Sequence, residues 1–405
     1  MELKSEESIS AVNPPVAVIG LGGFGYTVAT WIAKKGIAGG KIITTNADVK
    51  HLTFRRADKL IHLGEKLYKG HGYGNYPETC AKTAKGSLSE IRAELEGLNL
   101  LFFVTGLEEG TEIGAIQAIA RVARELDILT ILCVITPFKS EIARREKVIE
   151  AINSIAQSCD STIVIDNSKL GELAGNLPLK ETQAITEALI GAFIKNTTEN
   201  ITQPSLVNLH FADLRAIMER GGISSIGIGE GQGEGRVIKA VSQALAAPLL
   251  NISDISDAYG VLLHIVGGED LTLEEVAIAG EVIMDKIPNT KRVIWGAKVD
   301  ESLGGIVRVM AVLTGVKDPF SIGIEEKIKN MVLKIERQPN LLFSKDLFKE
   351  LLEDANKAET IKNDLNAILD GFAKSKTGFS LEENTRTFLL NEYIYLVLKA
   401  KGKKV

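Results

Sequence analysis

A chain of 405 residues, 45% of them hydrophobic, is long enough for two domains with buried cores. The formal net charge of −5, with lysine and arginine scattered along the sequence, argues against a nucleic-acid-binding protein. The three cysteines, Cys80, Cys133 and Cys159, lack the spacing of a disulfide framework or a zinc site. We therefore expect a cytoplasmic protein with no metal site, and no apolar run approaches the roughly 20 residues of a membrane span.

The first half of the chain alternates between short apolar runs and segments with helical periodicity. Strands are predicted at 16–20, 41–45, 98–105, 129–135 and 161–165, and helices at 26–35, 78–96, 112–126 and 140–157. This alternation predicts a doubly wound α/β domain with a parallel sheet, which we place at 14–178 after a polar leader at 1–13.

A glycine-rich turn, Gly20-Leu-Gly-Gly-Phe-Gly25, joins the first strand to the first helix. Such a turn presents backbone N–H groups and the positive end of a helix dipole, so it predicts an anion-binding loop. Its spacing also fits the dinucleotide fingerprint, which keeps a nicotinamide-dependent oxidoreductase as a remote alternative. That alternative needs a ribose-binding acid after the second strand, where Asp48 is the candidate.

The second half of the chain has a different pattern of predicted helices and strands. A long helix at 179–196 lies in a connector region, 179–204, and is followed by an α+β domain at 205–316. In this domain, strands are predicted at 206–211, 260–266, 292–298 and 305–313, and helices at 213–220, 236–246 and 273–286. The glycine-rich run at 221–235 receives no element, and the tail, 317–405, is predicted to form folded helices.

Several short motifs keep a common order along residues 14–316. They are Gly20–Gly25, Asn46-Ala-Asp48, Gly72–Glu78, Gly110-Thr111 with Gly114, Pro137-Phe138 with Glu141 and Arg145, Asn208–Asp213, Gly227-Ile-Gly229, Pro248-Leu-Leu250, Gly260–Leu263 and Gly296–Glu301. Together they resemble the FtsZ and tubulin superfamily, closer to FtsZ, over about three quarters of the chain.

The resemblance implies a GTP-binding first domain, with Mg²⁺, and head-to-tail self-assembly. It assigns nucleotide-binding positions to Gly22, Gly23, Gly25, Asp48, Gly110, Thr111, Gly114, Glu141, Arg145, Asn167 and Glu187. It assigns the catalytic loop to Asn208, His210 and Asp213, which would act on the nucleotide of the next subunit. Hydrolysis in this family is coupled to assembly, because phosphoryl transfer needs a group that orients the attacking water.

Three glutamates depart from the family pattern in the main phosphate loop. Glu108, Glu109 and Glu112 stand where the family has glycine, and His210 stands where it has the first aspartate of the catalytic loop. Like charges 4 Å apart repel by about 4 kcal/mol at an effective dielectric near 20, so inward-facing glutamates would oppose a triphosphate. Acidic residues also suit the first turn of any helix, which is the structural alternative for all three.

Two functions from different classes remain open at this point. The first is a cytoskeletal protein of cell division or cell shape that assembles head to tail while its GTP binding and hydrolysis are weak or lost. The second is a GTP-hydrolysing, filament-forming homologue. The protein therefore either binds GTP as its cofactor, as in the second function, or has no cofactor, as the first function allows. Partners are a second copy of the chain and a conventional FtsZ. Membrane contact would need a partner or the basic helix that ends at Val405.

Overall fold

The computed structural model describes residues 15–46, 57–63, 77–107, 111–138, 141, 148, 151–152, 154–175, 178–203, 207, 209–219, 221–246, 249–250, 255–256 and 258–316. The predicted leader and tail lie outside this part of the chain, as do Asp48, Glu108, Glu109, Gly110, Arg145 and Asn208. All of the described residues belong to one compact unit. Within the described residues, no helix is both long enough and apolar enough to cross a membrane.

Ten strands are described. They are β1 (Val16–Leu21), β2 (Gly40–Asn46), β3 (Lys59–His62), β4 (Leu100–Gly106), β5 (Leu129–Thr136), β6 (Ser161–Asp166), β7 (Gly222–Gln232), β8 (Gly260–Gly267), β9 (Arg292–Val299) and β10 (Ile306–Thr314). The buried parallel strands are the ones with unbroken apolar runs, as expected when both faces of a sheet are covered.

Eight α-helices are described among these residues. They are α1 (Gly22–Lys35), α2 (Pro77–Leu95), α3 (Thr111–Glu125), α4 (Asn167–Ala174), α5 (Leu179–Thr202), α6 (Phe211–Met218), α7 (Arg236–Ala246) and α8 (Leu273–Lys286). A short 3-10 helix follows at Glu301–Leu303. The start of α8 carries a capping box, in which Thr272 and Glu275 satisfy each other's backbone N–H groups.

The strands form one sheet in the order β3-β2-β1-β4-β5-β6-β7-β10-β8-β9. Strands β1 to β6 are all parallel, and the start of β7 continues this pairing beside β6. The rest of β7 pairs antiparallel with β10, which pairs antiparallel with β8. This confirms the mixed α/β fold, and it places the carboxyl ends of β1, β2, β4, β5 and β6 along one edge, which we call the rim.

The core lies between the sheet and the helices packed on it, and α5 buries Leu189, Ile190, Phe193 and Ile194 there. Phe193 of α5 packs edge to face on Phe102 of β4, with ring centroids 5.9 Å apart. On the other side of Phe193, the buried imidazole of His264 lies 3.0 Å from both Thr197 Oγ1 and Asn200 Nδ2. Helix α5 therefore joins the parallel part of the sheet to β8 through apolar and polar contacts.

The structure differs from the sequence prediction in several elements, and it adds strand β3 and helix α4, neither of which was predicted. Strand β1 passes directly into α1 at Gly22, so the glycine turn lies inside the first helical turn, which was predicted to begin at 26. The predicted strand at 206–211 is wrong: Val207 makes one isolated bridge, and α6 begins at Phe211. The glycine-rich run forms the eleven-residue strand β7.

Candidate functional site

The turn between β1 and α1 has the geometry of an anion site. Gly22 adopts a φ of +68°, which lets the strand turn sharply into the helix. Leu21 supplies no side-chain cap, and the first turn of α1 contains no acidic residue, so its N–H groups receive no carboxylate from their own helix. A Cβ added at Gly23 would meet nothing within 4 Å, which leaves open space beside the turn.

Two other glycines of the same motif are required by packing. A Cβ at Gly20 would lie 2.3 Å from the carbonyl oxygen of Gly25. A Cβ at Gly25 would lie 2.2 Å from the carbonyl oxygen of Val104 in β4. These contacts let α1 lie directly on β1 and β4, so both glycines are needed to pack the helix whether or not a ligand binds.

The carboxylate of Glu112 lies against this turn. Glu112 is in the first turn of α3, and its side chain is 8% exposed. A Cβ added at Gly22 would lie 2.3 Å from Glu112 Oε1, so the carboxylate of α3 reaches the strand-to-helix turn of β1 and α1. Glu112 is thus a first-turn acid of its own helix and also an acidic side chain at the turn where the sequence predicts a phosphate.

Further along the rim, polar groups follow β5 and β6. Glu141 Oε1 accepts a hydrogen bond from the backbone N–H of Phe138, at 3.3 Å. Asn167 is half-buried and begins α4, and the fully buried Asp166 caps this helix by accepting from Ser168 N at 2.9 Å. Sequence analysis named Asn167 and missed Asp166, although an aspartate between a buried strand and a helix is a typical N-cap signal.

Two buried threonines also lie at the rim and were missed. Thr45 near the end of β2 and Thr136 at the end of β5 are 1% and 2% exposed. Among the described residues, neither hydroxyl has a hydrogen-bond partner. Threonine near the end of a predicted strand is the available signal, but it does not separate a rim hydroxyl from an ordinary strand residue.

Glu187, the nucleotide-binding position assigned to the connector helix, lies in the amino-terminal half of α5. Gln183 is exposed and donates through Nε2 to Glu187 Oε1 at 3.2 Å, one turn further on. The packing of α4 on α5 brings this end of α5 toward the helix that begins at the end of β6. Glu187 is half-buried, so its carboxylate remains accessible to a hydrogen-bond donor.

The predicted catalytic residues lie at the opposite edge of the sheet. His210 is the N-cap residue of α6 and Asp213 is in its first turn, and both side chains are exposed. Arg215 of the same helix forms an ion pair with Asp127, which lies two residues before the start of β5. Because β5 has eight residues at about 3.3 Å each, α6 is about 25 Å from the rim.

Helix α5 connects these two edges. Its 24 residues span about 36 Å at 1.5 Å per residue. At its carboxyl end, Thr202 Oγ1 donates to the carbonyl of Ala38 at 3.0 Å, just before β2 begins. The structure therefore separates His210 and Asp213 from Gly22, Thr111, Gly114, Glu141, Asn167 and Glu187 within one chain.

Two family models match the chain. Residues 15–175 match the model described as "Tubulin/FtsZ family, GTPase domain", and residues 222–317 match "FtsZ family, C-terminal domain". Among curated relatives, "Cell division protein FtsZ 2" of Methanocaldococcus jannaschii is 38% identical over 326 residues, which is 80% of this chain and 86% of that protein. "Cell division protein FtsZ 1" of Thermococcus kodakarensis is 40% identical over 79% of this chain and 85% of its own.

Solved structures agree with these matches. The structure titled "FtsZ dimer, empty (M. jannaschii)" is 37% identical, has a TM-score of 0.71, and covers 77% of this chain and 91% of its own. "CetZ2 from Haloferax volcanii - GTPgS bound protofilament" has a TM-score of 0.65 over 80% of this chain and 99% of its own. At 19% identity, the second likeness concerns the fold alone.

Proposed function

The chain belongs to the FtsZ family of the tubulin superfamily, and on this premise we propose that it is a cytoplasmic cytoskeletal protein that assembles head to tail with little or no dependence on GTP. Its relatives are named cell division proteins, so a role in division or cell shape is the natural context. Family membership leaves no reason to retain the oxidoreductase alternative, even though β3-β2-β1-β4-β5-β6 is also the dinucleotide-fold order.

The observation that carries self-assembly is the position of α6. His210 and Asp213 lie about 25 Å from the rim of their own chain, so they can act on a rim only when it belongs to another subunit. A site divided in this way pairs two different surfaces, so it excludes a closed two-fold dimer and generates an open filament when its rotation does not close into a ring. The solved relative titled as an FtsZ dimer is in accord with self-association.

The observation that carries weak GTP dependence is the carboxylate at Gly22. The turn itself fits an anion, because Gly23 faces open space and α1 has no acid in its first turn. A triphosphate does not fit beside Glu112, because its negative charge opposes the phosphates by about 4 kcal/mol at 4 Å and an effective dielectric of 20. That repulsion corresponds to about a thousandfold loss of affinity.

The second candidate function is a GTP-hydrolysing filament protein. It is favoured by the names of the relatives, at 38% and 40% identity, and by the retention of Gly23, which packing does not require. The two candidates make opposite predictions for one titration. Nucleotide-free protein titrated with GTP by calorimetry, with and without Mg²⁺, should show no micromolar binding if Glu112 opposes the phosphates. Micromolar binding and FtsZ-like turnover would establish the second candidate and refute ours.

A variant series makes the titration specific to the glutamates. Replacing Glu108, Glu109 and Glu112 together by glycine should raise GTP affinity, because it restores the family pattern of the loop. Unchanged affinity would show that these carboxylates do not control phosphate binding.

Assembly is tested separately, by sedimentation and negative-stain electron microscopy without nucleotide. We expect filaments, and we expect Asp213→Lys to abolish them because this exposed residue lies at the edge opposite the rim. Glu281→Lys is the matched control, because Glu281 is an exposed acidic residue in the middle of α8, between the two edges of the sheet. Filaments that survive Asp213→Lys, or that require GTP, would contradict the proposal.

A further inference from the structure

The rim is asymmetric in charge and in hydrogen-bonding capacity. At the β1 end, the buried carboxylate of Glu112 lies against Gly22. At the β6 end, Asn167 is half-buried and offers an amide oxygen. Glu187 of α5 is half-buried and offers a carboxylate, one helical turn before Gly191, which contacts Trp31 of α1. Among the predicted nucleotide positions that the structure describes, Glu141 and Glu187 are the ionisable residues, and both are acidic.

The separation of the two ends sets the size of a ligand that would fill the rim. Strands β1 and β6 are separated by β4 and β5, so three strand spacings of about 4.8 Å place the ends about 14 Å apart. A nucleoside that hydrogen-bonds to Asn167 at the β6 end would fill most of that length. The phosphates of a longer nucleotide would then extend to the turn where Glu112 lies.

We propose that the rim binds a nucleoside or nucleoside monophosphate, and that its affinity falls as phosphates are added because Glu112 occupies the phosphate end. This inference rests on the proposed function, which identifies the rim as a weakened nucleotide site. Carboxylates accept hydrogen bonds from ribose hydroxyls and base N–H groups, so Glu141 and Glu187 favour a neutral ligand. The same charges, together with Glu112, disfavour each additional phosphate.

The test is a titration of the full chain with guanosine, GMP, GDP and GTP, by calorimetry and by thermal shift, in the presence and absence of Mg²⁺. We expect guanosine and GMP to bind, and each further phosphate to weaken binding by at least about tenfold, as like charges within about 8 Å require. Glu112→Gly should reverse the order, so that GTP binds most tightly. Glu112→Gln keeps the bulk of the side chain but removes its charge. It should therefore abolish the fall in affinity with each added phosphate, while GTP binds less tightly than it does to Glu112→Gly.

Glu274→Gln and Glu274→Gly are the matched controls. Glu274 occupies the same second position of its helix, α8, as Glu112 does in α3, but it is exposed. These variants therefore reproduce the effect of changing a first-turn glutamate on its own helix, without changing the rim. We expect them to keep the wild-type order of affinities. If Glu112→Gly does not fold, the comparison of Glu112→Gln with Glu274→Gln decides the matter.

The outcomes separate this inference from the proposed function. Wild-type protein that binds none of the four ligands, while Glu112→Gly binds GTP, overturns the inference and leaves the weakened GTP site in place. Affinity that is flat or rises with phosphate number overturns the inference, and micromolar GTP binding by the wild type overturns the proposed function as well. An order of affinities that Glu112→Gly and Glu112→Gln both leave unchanged also overturns the inference, because Glu112 would not be its cause.

Discussion

The contact between β7 and α7 allows a sharp test of the packing described above. Gly227, Gly229 and Gly231 alternate along β7, so they share one face of the strand. Cβ atoms added at these three positions would each lie 1.9 Å from a backbone carbonyl oxygen of α7. The helix backbone therefore lies directly on the strand. We predict that Gly229→Ala forces the two elements apart.

The magnitude follows from that distance. A Cβ at Gly229 would also lie 2.7 Å from Ala244 N, so backbone atoms block it on two sides and no side-chain rotation relieves the clash. Reaching an ordinary carbon–oxygen contact requires an opening of more than 1 Å, which forfeits a quarter to a half of the dispersion energy at the interface. For the buried Val237, Val241 and Leu245 of α7, we expect a loss of about 3 kcal/mol.

Urea unfolding measures this loss, with fluorescence of Trp295 as the probe in a Trp31→Phe background. Trp295 packs on Gly280 of α8 and so reports on the same part of the sheet, and the chain has only two tryptophans. The matched control is Gly86→Ala in α2, where an added Cβ meets nothing within 4 Å. It should raise the free energy of unfolding by about 0.5–1 kcal/mol. If the free energy of unfolding of Gly229→Ala lies within about 0.5 kcal/mol of that of its parent, the packing argument is refuted.

Three further predictions concern other buried contacts. Burial lowers the pKa of His264 to about 4, whereas its value in the unfolded chain is about 6.5. The free energy of unfolding should therefore be at its full value above pH 6.5 and fall by about 3 kcal/mol as the pH drops to 4. Urea unfolding of His264→Gln should not show this pH-dependent decrease. Arg236→Ala removes the buried partner of Glu275 and should cost about 3 kcal/mol in thermal unfolding, whereas Arg308→Ala, in an exposed pair, should cost less than about 1 kcal/mol. Gly191→Ala places a Cβ 2.3 Å from the Trp31 ring and should shift its emission in a Trp295→Phe background.

The sequence predicts an element well where local pattern and tertiary packing agree. The structure gives α7 and α8 the predicted bounds, because each has an apolar face and α8 begins at a capping box of Thr272 and Glu275. The pattern fails at β7, because its glycines replace the alternating side chains by which a strand is recognised. These glycines are explained by the close packing of α7 on β7. That is a tertiary contact, which the local sequence pattern does not reveal.

The rim was predictable in outline, because parallel strands place their carboxyl ends on one edge. The direction of Glu112 was not predictable. Its position in the first turn of α3 suits a helix-capping acid, and the same residue lies against Gly22 because α3 and α1 begin at neighbouring strands, β4 and β1. Glu112 is thus both a first-turn acid of α3 and a side chain that faces the predicted phosphate site. From the sequence alone, these two roles were alternatives.

The four glycines of the first turn show why a glycine motif is weak evidence for a ligand. Gly20 and Gly25 are required by contacts between backbones, and Gly22 by its φ of +68°, so all three belong to the path of the chain. Only Gly23 faces open space. A family member that stopped binding phosphate would still need the first three to fold. The glycine motif therefore indicates the fold, whereas the side chain that faces it, Glu112, determines whether a phosphate can bind there.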